Sequence, residues 1–388
     1  MIPAARFSAA IEVLDWILAG HAAEAALTTW ARGHRFAGSG DRHAIRDLVF
    51  DALRCRRSFA ALGGGETGRG LILGLARAQG QAALFDGIGH APAPPGPGET
   101  GRIPEGAEAL DGPDWLVPAL QSALGPDFAP VMQAMQQRAP VFLRVNLGKG
   151  TCVAAQASLA AEGIACEPVP TVKTALQVTG NARKVKASAA YAQGLVELQD
   201  LSSQDLCLAL PLTLGARVLD YCAGGGGKTL AMAALSALDL FAHDAAPQRL
   251  KDLPHRAARA GAKVSLTAKP ESLARFDMIL TDVPCSGSGS WRRDPMGKWA
   301  LTPERLAALR STQAAILDAV APMVAPQGTL AYATCSLLNE ENEAQIADFL
   351  DRHPDWTCGL QRRWTPLSGG DGFFLALLTP PFARPTQP

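Results

Sequence analysis

Apolar positions recur at helical spacing through the first 85 residues. Phe7, Ile11, Leu14 and Leu18 lie three or four apart and would share one helix face, with Gly20 as a stop. The pattern predicts a second helix over 22–32 and a third after Gly38-Ser39-Gly40-Asp41. There Asp41 is placed to cap, and Ile45, Leu48, Val49 and Leu53 line one face. Residues 91–98 read Ala-Pro-Ala-Pro-Pro-Gly-Pro-Gly, a linker or exposed loop too rich in Pro and Gly to fold alone. A middle segment starts near Pro113, contains the strand-like run Val141–Asn146, and alternates helical with extended pieces up to residue 195. From 196 the pattern becomes strand, glycine-rich turn, helix, repeatedly. Candidate strands are Arg217–Tyr221, Asp239–His243, Lys263–Leu266, Met278–Asp282 and Thr329–Ala333, with helices such as Thr229–Leu235 and Glu304–Val320 between them. That alternation predicts an α/β fold with a doubly wound, mostly parallel, Rossmann-like sheet. The expected parts are a helical domain over 1–90, a linker over 91–112, a small α/β domain over 113–195 and a catalytic domain over 196–388.

Val218-Leu219-Asp220 ends a buried strand, and Tyr221-Cys222-Ala223-Gly224-Gly225-Gly226-Gly227-Lys228-Thr229 opens a helix. Consecutive glycines let the backbone bend sharply and approach a ligand, and amides at the helix start can meet its polar atoms. Asp244 ends the next strand, 17 residues after Gly227, where an acid can accept both hydroxyls of a ribose. A nucleoside-containing cofactor is therefore expected at the C-terminal edge of the sheet. Its expected contacts are Asp220, Cys222, Ala223, Gly224, Gly225, Gly226, Gly227, Lys228, Asp244, Arg249 and Asp282. Gly-Lys-Thr invites a rival reading as a P-loop. That loop needs Gly five residues before the Gly of Gly-Lys, where this chain has Cys222.

Cys285 follows the fourth candidate strand and Cys335 ends the fifth. In a doubly wound sheet strand four neighbours strand one and strand five flanks four, so both thiols should reach the cofactor's edge. Two thiols beside a methyl donor have a specific use. C5 of cytosine is a poor nucleophile until a thiolate adds to C6, and a base must then remove the C5 proton so that the thiol can leave. A thiol with the reference pKa near ~8.5 is mostly un-ionised at neutral pH, so Lys228 and the sulfonium charge are expected to favour the thiolate. Taken from the residues alone, either cysteine can fill either role.

Composition narrows the setting. The chain has 388 residues, 48% of them apolar, enough for more than one core. No apolar run is long enough to span a membrane, and Glu12 and Asp15 interrupt the first apolar stretch, so a cytoplasmic protein is expected. Lys plus Arg number 36 and so do Asp plus Glu, so any attraction to nucleic acid must come from a local patch. Eight cysteines form no Cys-x-x-Cys, and no His stands at zinc spacing, so no metal site is expected. Cys55, Cys152, Cys166, Cys207 and Cys358 read as small buried hydrophobes. A monomer is expected.

These residues resemble the RNA cytosine-C5 methyltransferase family that includes the bacterial small-subunit rRNA enzyme and its eukaryotic nucleolar relatives. Asp220 to Thr229 is similar to the family's Asp-x-Cys-Ala-Ala-Pro-Gly-Gly-Lys-Thr motif, with Gly224 and Gly225 in place of Ala-Pro. Asp282 to Gly289 resembles Asp-Ala-Pro-Cys-Ser-Gly-Thr-Gly, and Thr334-Cys335-Ser336, followed by Glu340, Glu341, Asn342 and Glu343, resembles the motif carrying the nucleophile. Leu198 to Gln204, Leu143 to Asn146 and Asp371 to Phe374 resemble further family segments. The resemblance implies a seven-stranded class I methyltransferase domain, S-adenosylmethionine as cofactor and RNA, most simply 16S rRNA, as substrate. A tRNA substrate or a catalytically silent assembly factor are the rival readings. It implies Cys335 as nucleophile and Cys285 as the resolving residue, whereas DNA cytosine methyltransferases attack with the Pro-Cys thiol. It further implies that Asp282 and Lys228 contact the cytosine or position the methyl group. Ser265 to Pro270 lacks the acid that the family places after its third strand to meet the adenine.

Two regions suggest RNA contacts. Between Arg32 and Arg57 stand seven arginines (32, 35, 42, 46, 54, 56, 57) against Asp41, Asp47 and Asp51, a density suited to phosphates. This stretch resembles, more weakly, the antitermination-factor-like helical domain found ahead of the rRNA enzyme. Arg292, Arg293 and Lys298, interleaved with Trp291 and Trp299, follow the Cys285 loop and could hold the neighbours of a flipped base.

Overall fold

The computed structural model describes residues Met1–Pro381; residues 382–388 of the expected catalytic domain lie outside the described residues. The chain forms two compact units. One is Met1–Arg138 together with Trp291–Ala300; the other is Ala139–Ser290 with the chain from Leu301 onward.

The first unit is helical, with helices Pro3–Leu18, Ala23–Gly33, Ser39–Arg54, Arg56–Gly63 and Gly68–Ala78. The apolar periodicity becomes its core: Phe7, Leu14, Ile45, Val49 and Leu53 are buried together with Leu71, Ile72 and Leu75. Asp41 caps no helix. The third helix starts after Gly38, and the Asp41 carboxylate instead accepts from the Met1 ammonium and from Arg6. The predicted linker is partly packed rather than free, because Glu99 pairs with Arg69 and the Arg102 amide donates to the Ala61 carbonyl. Helices Val117–Leu124 and Phe128–Gln136 pack with this unit, whose contacts run to residue 138. Asp111 helps hold that segment, accepting from the amides of Arg57 and Ser58 and from Gln136.

The second unit contains two sheets. The smaller has β1 (Val141–Val145), β2 (Ala165–Pro168), β3 (Ala175–Gly180) and β4 (Val196–Leu198) in the antiparallel order β2-β3-β1-β4. β4 pairs with β1, so this sheet runs three residues past the expected border at 195. The larger has β5 (Arg217–Asp220), β6 (Asp239–Ala242), β7 (Ser265–Leu266), β8 (Phe276–Asp282), β9 (Val324–Thr334), β10 (Thr357–Trp364) and β11 (Phe373–Thr379). Their order is β10-β11-β9-β8-β5-β6-β7, parallel from β9 through β7, with β11 antiparallel to β9 and β10 to β11. All five predicted strands are present, in the neighbour order expected. Val218, Leu219, Ile279 and Leu280 are fully buried, as strands covered on both faces require. Among the described residues no helix is long and apolar enough to cross a membrane.

Candidate active site

A cleft of about 390 Å³ opens at the C-terminal ends of β5, β8 and β9. Its walls come from the glycine turn after β5, the Asp282–Cys285 segment and Cys335. Strand register brings these together. Asp282 pairs with Ala333 and the Val283 amide donates to the Ala333 carbonyl, so three residues past Asp282 and two past Ala333 the chains are still side by side. The Gly289 amide then donates to the Cys335 carbonyl and closes the loop. The Cys285 and Cys335 sulfurs stand 3.3 Å apart and share a hydrogen bond. That bond, reinforced by burial, holds the Cys285 thiol well above its ordinary range.

The glycine turn needs its glycines. Gly224 and Gly226 have φ of +51° and +80°, and a Cβ on Gly226 would come within 2.2 Å of a Leu253 methyl carbon. Helix Gly227–Leu235 starts with no side-chain cap, so its first amides are left for a ligand. Asp220 is 1% exposed. Its Oδ2 accepts from the Thr229 hydroxyl at 2.6 Å, while Oδ1 has no partner. Burial raises this carboxyl to about 7. An unpaired, buried acceptor facing a cleft is a place for a ligand donor. The amino group of S-adenosylmethionine is one, so the turn and Asp220 fit that cofactor.

Lys228 donates to Asp282 at 2.7 Å, and both line the cleft. Burial alone would lower the ammonium, but the charge of Asp282 and its hydrogen bond outweigh it, so Lys228 stays protonated. Cys222 also lines the cleft, and burial raises its thiol. Ala223, Gly224, Gly225, Gly227 and Arg249 complete that wall. Two predicted contacts stand apart from it. Gly226 packs against Leu253, and the Asp244 carboxylate is committed to the amides of Gly224 and Ala246 and to Arg249 at 3.2 Å. Asp244 thus braces the turn in this structure.

Periodicity gave no sign of Gln199 and Ser203, yet both line the cleft. Gln199 precedes the helix Leu201–Leu208 and Ser203 lies in its first turn. Gln199 Oε1 accepts from Arg144, a 4% exposed guanidinium, and Gln199 Nε2 donates to Ser203. The spacing of Gln199 and Ser203 in the Leu198–Gln204 segment was the available signal.

The basic segment after the Cys285 loop is a correction. Trp291, Arg292 and Lys298 are 2%, 4% and 2% exposed, and they belong to the helical unit. Lys298 Nζ and Trp299 Nε1 donate to the carbonyls of Arg54 and Leu53, and the Arg292 carbonyl accepts from Arg54. Burial removes Trp291, Arg292 and Lys298 from any phosphate, whereas Arg293 is exposed and Trp299 half-buried.

The comparisons agree with this geometry. Residues 207–379 match the family described as 16S rRNA methyltransferase RsmB/F, and residues 112–185 match the ferredoxin-like domain of the same family. Proteins named Ribosomal RNA small subunit methyltransferase B from Salmonella arizonae and Salmonella typhi are each 38% identical over 284 residues. That match takes in 69% of this chain and 66% of the relatives' length, so it spans just under two thirds of them. The crystal structure titled PH0851 superposes with a TM-score of 0.75 at 22% identity, covering 98% of this chain and 99% of its own. A methyltransferase homolog protein from Pyrococcus horikoshii gives 0.60 at 26% identity, covering 70% and 96%. S-adenosylmethionine is the methyl donor of class I methyltransferases of this type. By the matches to its two domain models and to these relatives, the chain belongs to the RsmB/F methyltransferase family.

Proposed function

We propose that this protein methylates C5 of a cytosine in RNA, with 16S rRNA as the substrate, through a covalent adduct between Cys335 and C6. The observation that carries the reading is the pair of sulfurs 3.3 Å apart in one cleft with the glycine turn. The name of the relatives, Ribosomal RNA small subunit methyltransferase B, supports the choice of RNA.

Bound S-adenosylmethionine supplies an electrophilic methyl group. The chain's own residues do the rest. The raised Cys285 thiol supports Cys285 as the holder of the shared proton and Cys335 as the nucleophile. Its sulfur bonds to C6, and the C5–C6 π pair moves onto C5. Lys228, whose ammonium feels the charge of Cys335, stabilises the anionic sulfur before attack. Asp282 holds that ammonium in place.

Adduct formation changes Cys285. The hydrogen bond and negative charge of Cys335 raise its thiol, and both vanish when Cys335 becomes a thioether. Cys285 then ionises more readily and takes the proton from methylated C5. The C5–H electron pair re-forms the ring double bond as the S–C6 bond breaks. The coupling of the two thiols supports this division of roles.

Cys335→Ala is expected to abolish transfer of label from radioactive S-adenosylmethionine to 16S rRNA. Cys285→Ala is expected to leave a protein–RNA adduct stable on a denaturing gel. Methylation by Cys335→Ala at the parental rate overturns the assignment, and methylation by Cys285→Ala with no adduct overturns the division of roles.

A further inference from the structure

Glu341 is fully buried, and among the described residues it pairs with no cation. A buried carboxylate without a counter-charge is costly unless several donors meet it. Four do. Its Oε1 accepts from the Ser286 amide at 2.8 Å and from Gln313 Nε2 at 3.0 Å. Its Oε2 accepts from the hydroxyls of Ser286 and Ser336, each at 2.5 Å. Ser286 follows Cys285 and Ser336 follows Cys335. One carboxylate therefore grips the residue after each active-site cysteine.

The surrounding contacts brace that grip. Gln313 Nε2 also donates to the Pro284 carbonyl, on the other side of Cys285. Ser288 and Ser336 share a hydrogen bond at 3.0 Å, and the Leu337 amide donates to Ser288. The Tyr332 hydroxyl donates to the Glu341 carbonyl, and Asn342 accepts from Thr334, so the carboxylate's own backbone is anchored to β9. None of these side chains but that of Cys285's neighbour Pro284 belongs to a residue lining the cleft. A network this complete, built around one anion, rigidifies the geometry it encloses.

We propose that Glu341 is the positioning residue of the thiol pair: its carboxylate locks the two cysteine loops together and holds the sulfurs in contact. The inference rests on the reading of Cys285 and Cys335 as the reacting pair. The Glu341 charge also acts on Cys285, behind the hydrogen bond to Cys335 and burial, in the direction that keeps its proton on. The titratable groups facing Cys285 are Cys335, Glu341 and Tyr332, while Lys228 and Asp282 line the same cleft. Removing the Glu341 charge therefore changes the thiol without touching the cleft wall.

The test uses the full chain and two variants. Glu341→Gln keeps the shape and, with the serine hydroxyls turned, most of the hydrogen bonds, but removes the charge. Glu341→Ala removes the clamp. The first readout is capture by phenylarsine oxide, which needs two adjacent thiols, with the modified peptides identified by mass spectrometry. The parent and Glu341→Gln are expected to link the Cys285 and Cys335 peptides, and Glu341→Ala to do so at least about tenfold more slowly. The second is iodoacetamide alkylation of Cys285 against pH, whose midpoint is expected to fall in Glu341→Gln. The third is methyl transfer, where Glu341→Ala is expected to lose about 100-fold in kcat with little change in KM for RNA. A folded Glu341→Ala with unchanged arsenical capture overturns the clamp. If that variant does not fold, an unchanged alkylation midpoint in Glu341→Gln overturns the proposal. Absence of methyl transfer by the parent would sink the proposed function while leaving the two thiol readouts to decide this one.

Discussion

The arginine-rich helices of the first unit and the cleft of the second both concentrate polar groups, but they treat them oppositely. In the helices, Arg46 pairs with Glu24, Arg56 with Glu66 and Arg57 with Asp114. Arg54 bonds Asp51 and a backbone carbonyl, and Arg42 bonds the Ala37 carbonyl. Five of the seven arginines that suggested a phosphate surface are occupied within the unit; Arg32 and Arg35 are exposed and take part in none of these contacts. In the cleft, Asp220 is buried with an oxygen unpaired, and the two thiols share one hydrogen bond. Satisfied charges stabilise a fold, whereas buried groups short of partners are tolerated where a ligand completes them. Charge density along a sequence is therefore a poorer guide to a site than incomplete pairing in space.

Beyond the two cysteines, the largest effect should come from the Lys228–Asp282 ion pair in the cleft. Lys228→Met leaves Asp282 without its cation and removes the charge beside Cys335. A loss of about 100-fold or more in single-turnover methyl transfer is expected, with smaller losses for Asp282→Asn. If Lys228→Met transfers methyl normally, that pair belongs with the structural pairs of the helices.

A middle-sized effect concerns Asp220. Its carboxyl is raised to about 7, so it is neutral below that pH and ionised above it. Binding of S-adenosylmethionine, measured by calorimetry, is expected to tighten as pH rises through 7, by up to about tenfold per unit below it. Asp220→Asn should flatten that dependence. For the protein without cofactor the sign reverses. The raised carboxyl contributes stability that is fully present below the ordinary 3.8 and is lost as pH rises through about 7.

The smallest effect separates the paired arginines from Arg32 and Arg35. Arg32→Ala with Arg35→Ala is expected to weaken RNA binding a few-fold and to lower the salt slope by roughly 0.7–0.9 for each phosphate no longer neutralised. Arg46→Ala and Arg56→Ala should leave the salt slope unchanged. Equal slopes in all variants, measured by filter binding, would remove the helical unit from RNA recognition.

Much of this molecule was legible in its sequence because the signals were local. Alternation of buried strands with helices named the parallel sheet and its strand order. The run Gly224–Gly227 announced a turn that only glycine can make at two of its positions. Strand order alone then brought Cys285 and Cys335 to one edge. What the sequence could not decide was pairing between distant residues. Asp41 stood where a cap belongs, yet the chain's own ammonium reached it first. Arg292 and Lys298 had the composition of a phosphate grip, and burial against the third helix removed them from solvent. Asp244 stood where a ribose acid belongs, and only the fold shows that its oxygens also accept from the Gly224 and Ala246 amides and pair with Arg249. Glu341 was one of three acids in a short run, and only the fold singled it out. Periodicity encodes which face of an element is apolar. Which polar partner reaches a given atom depends on distances between elements, and those exist only once the chain has packed.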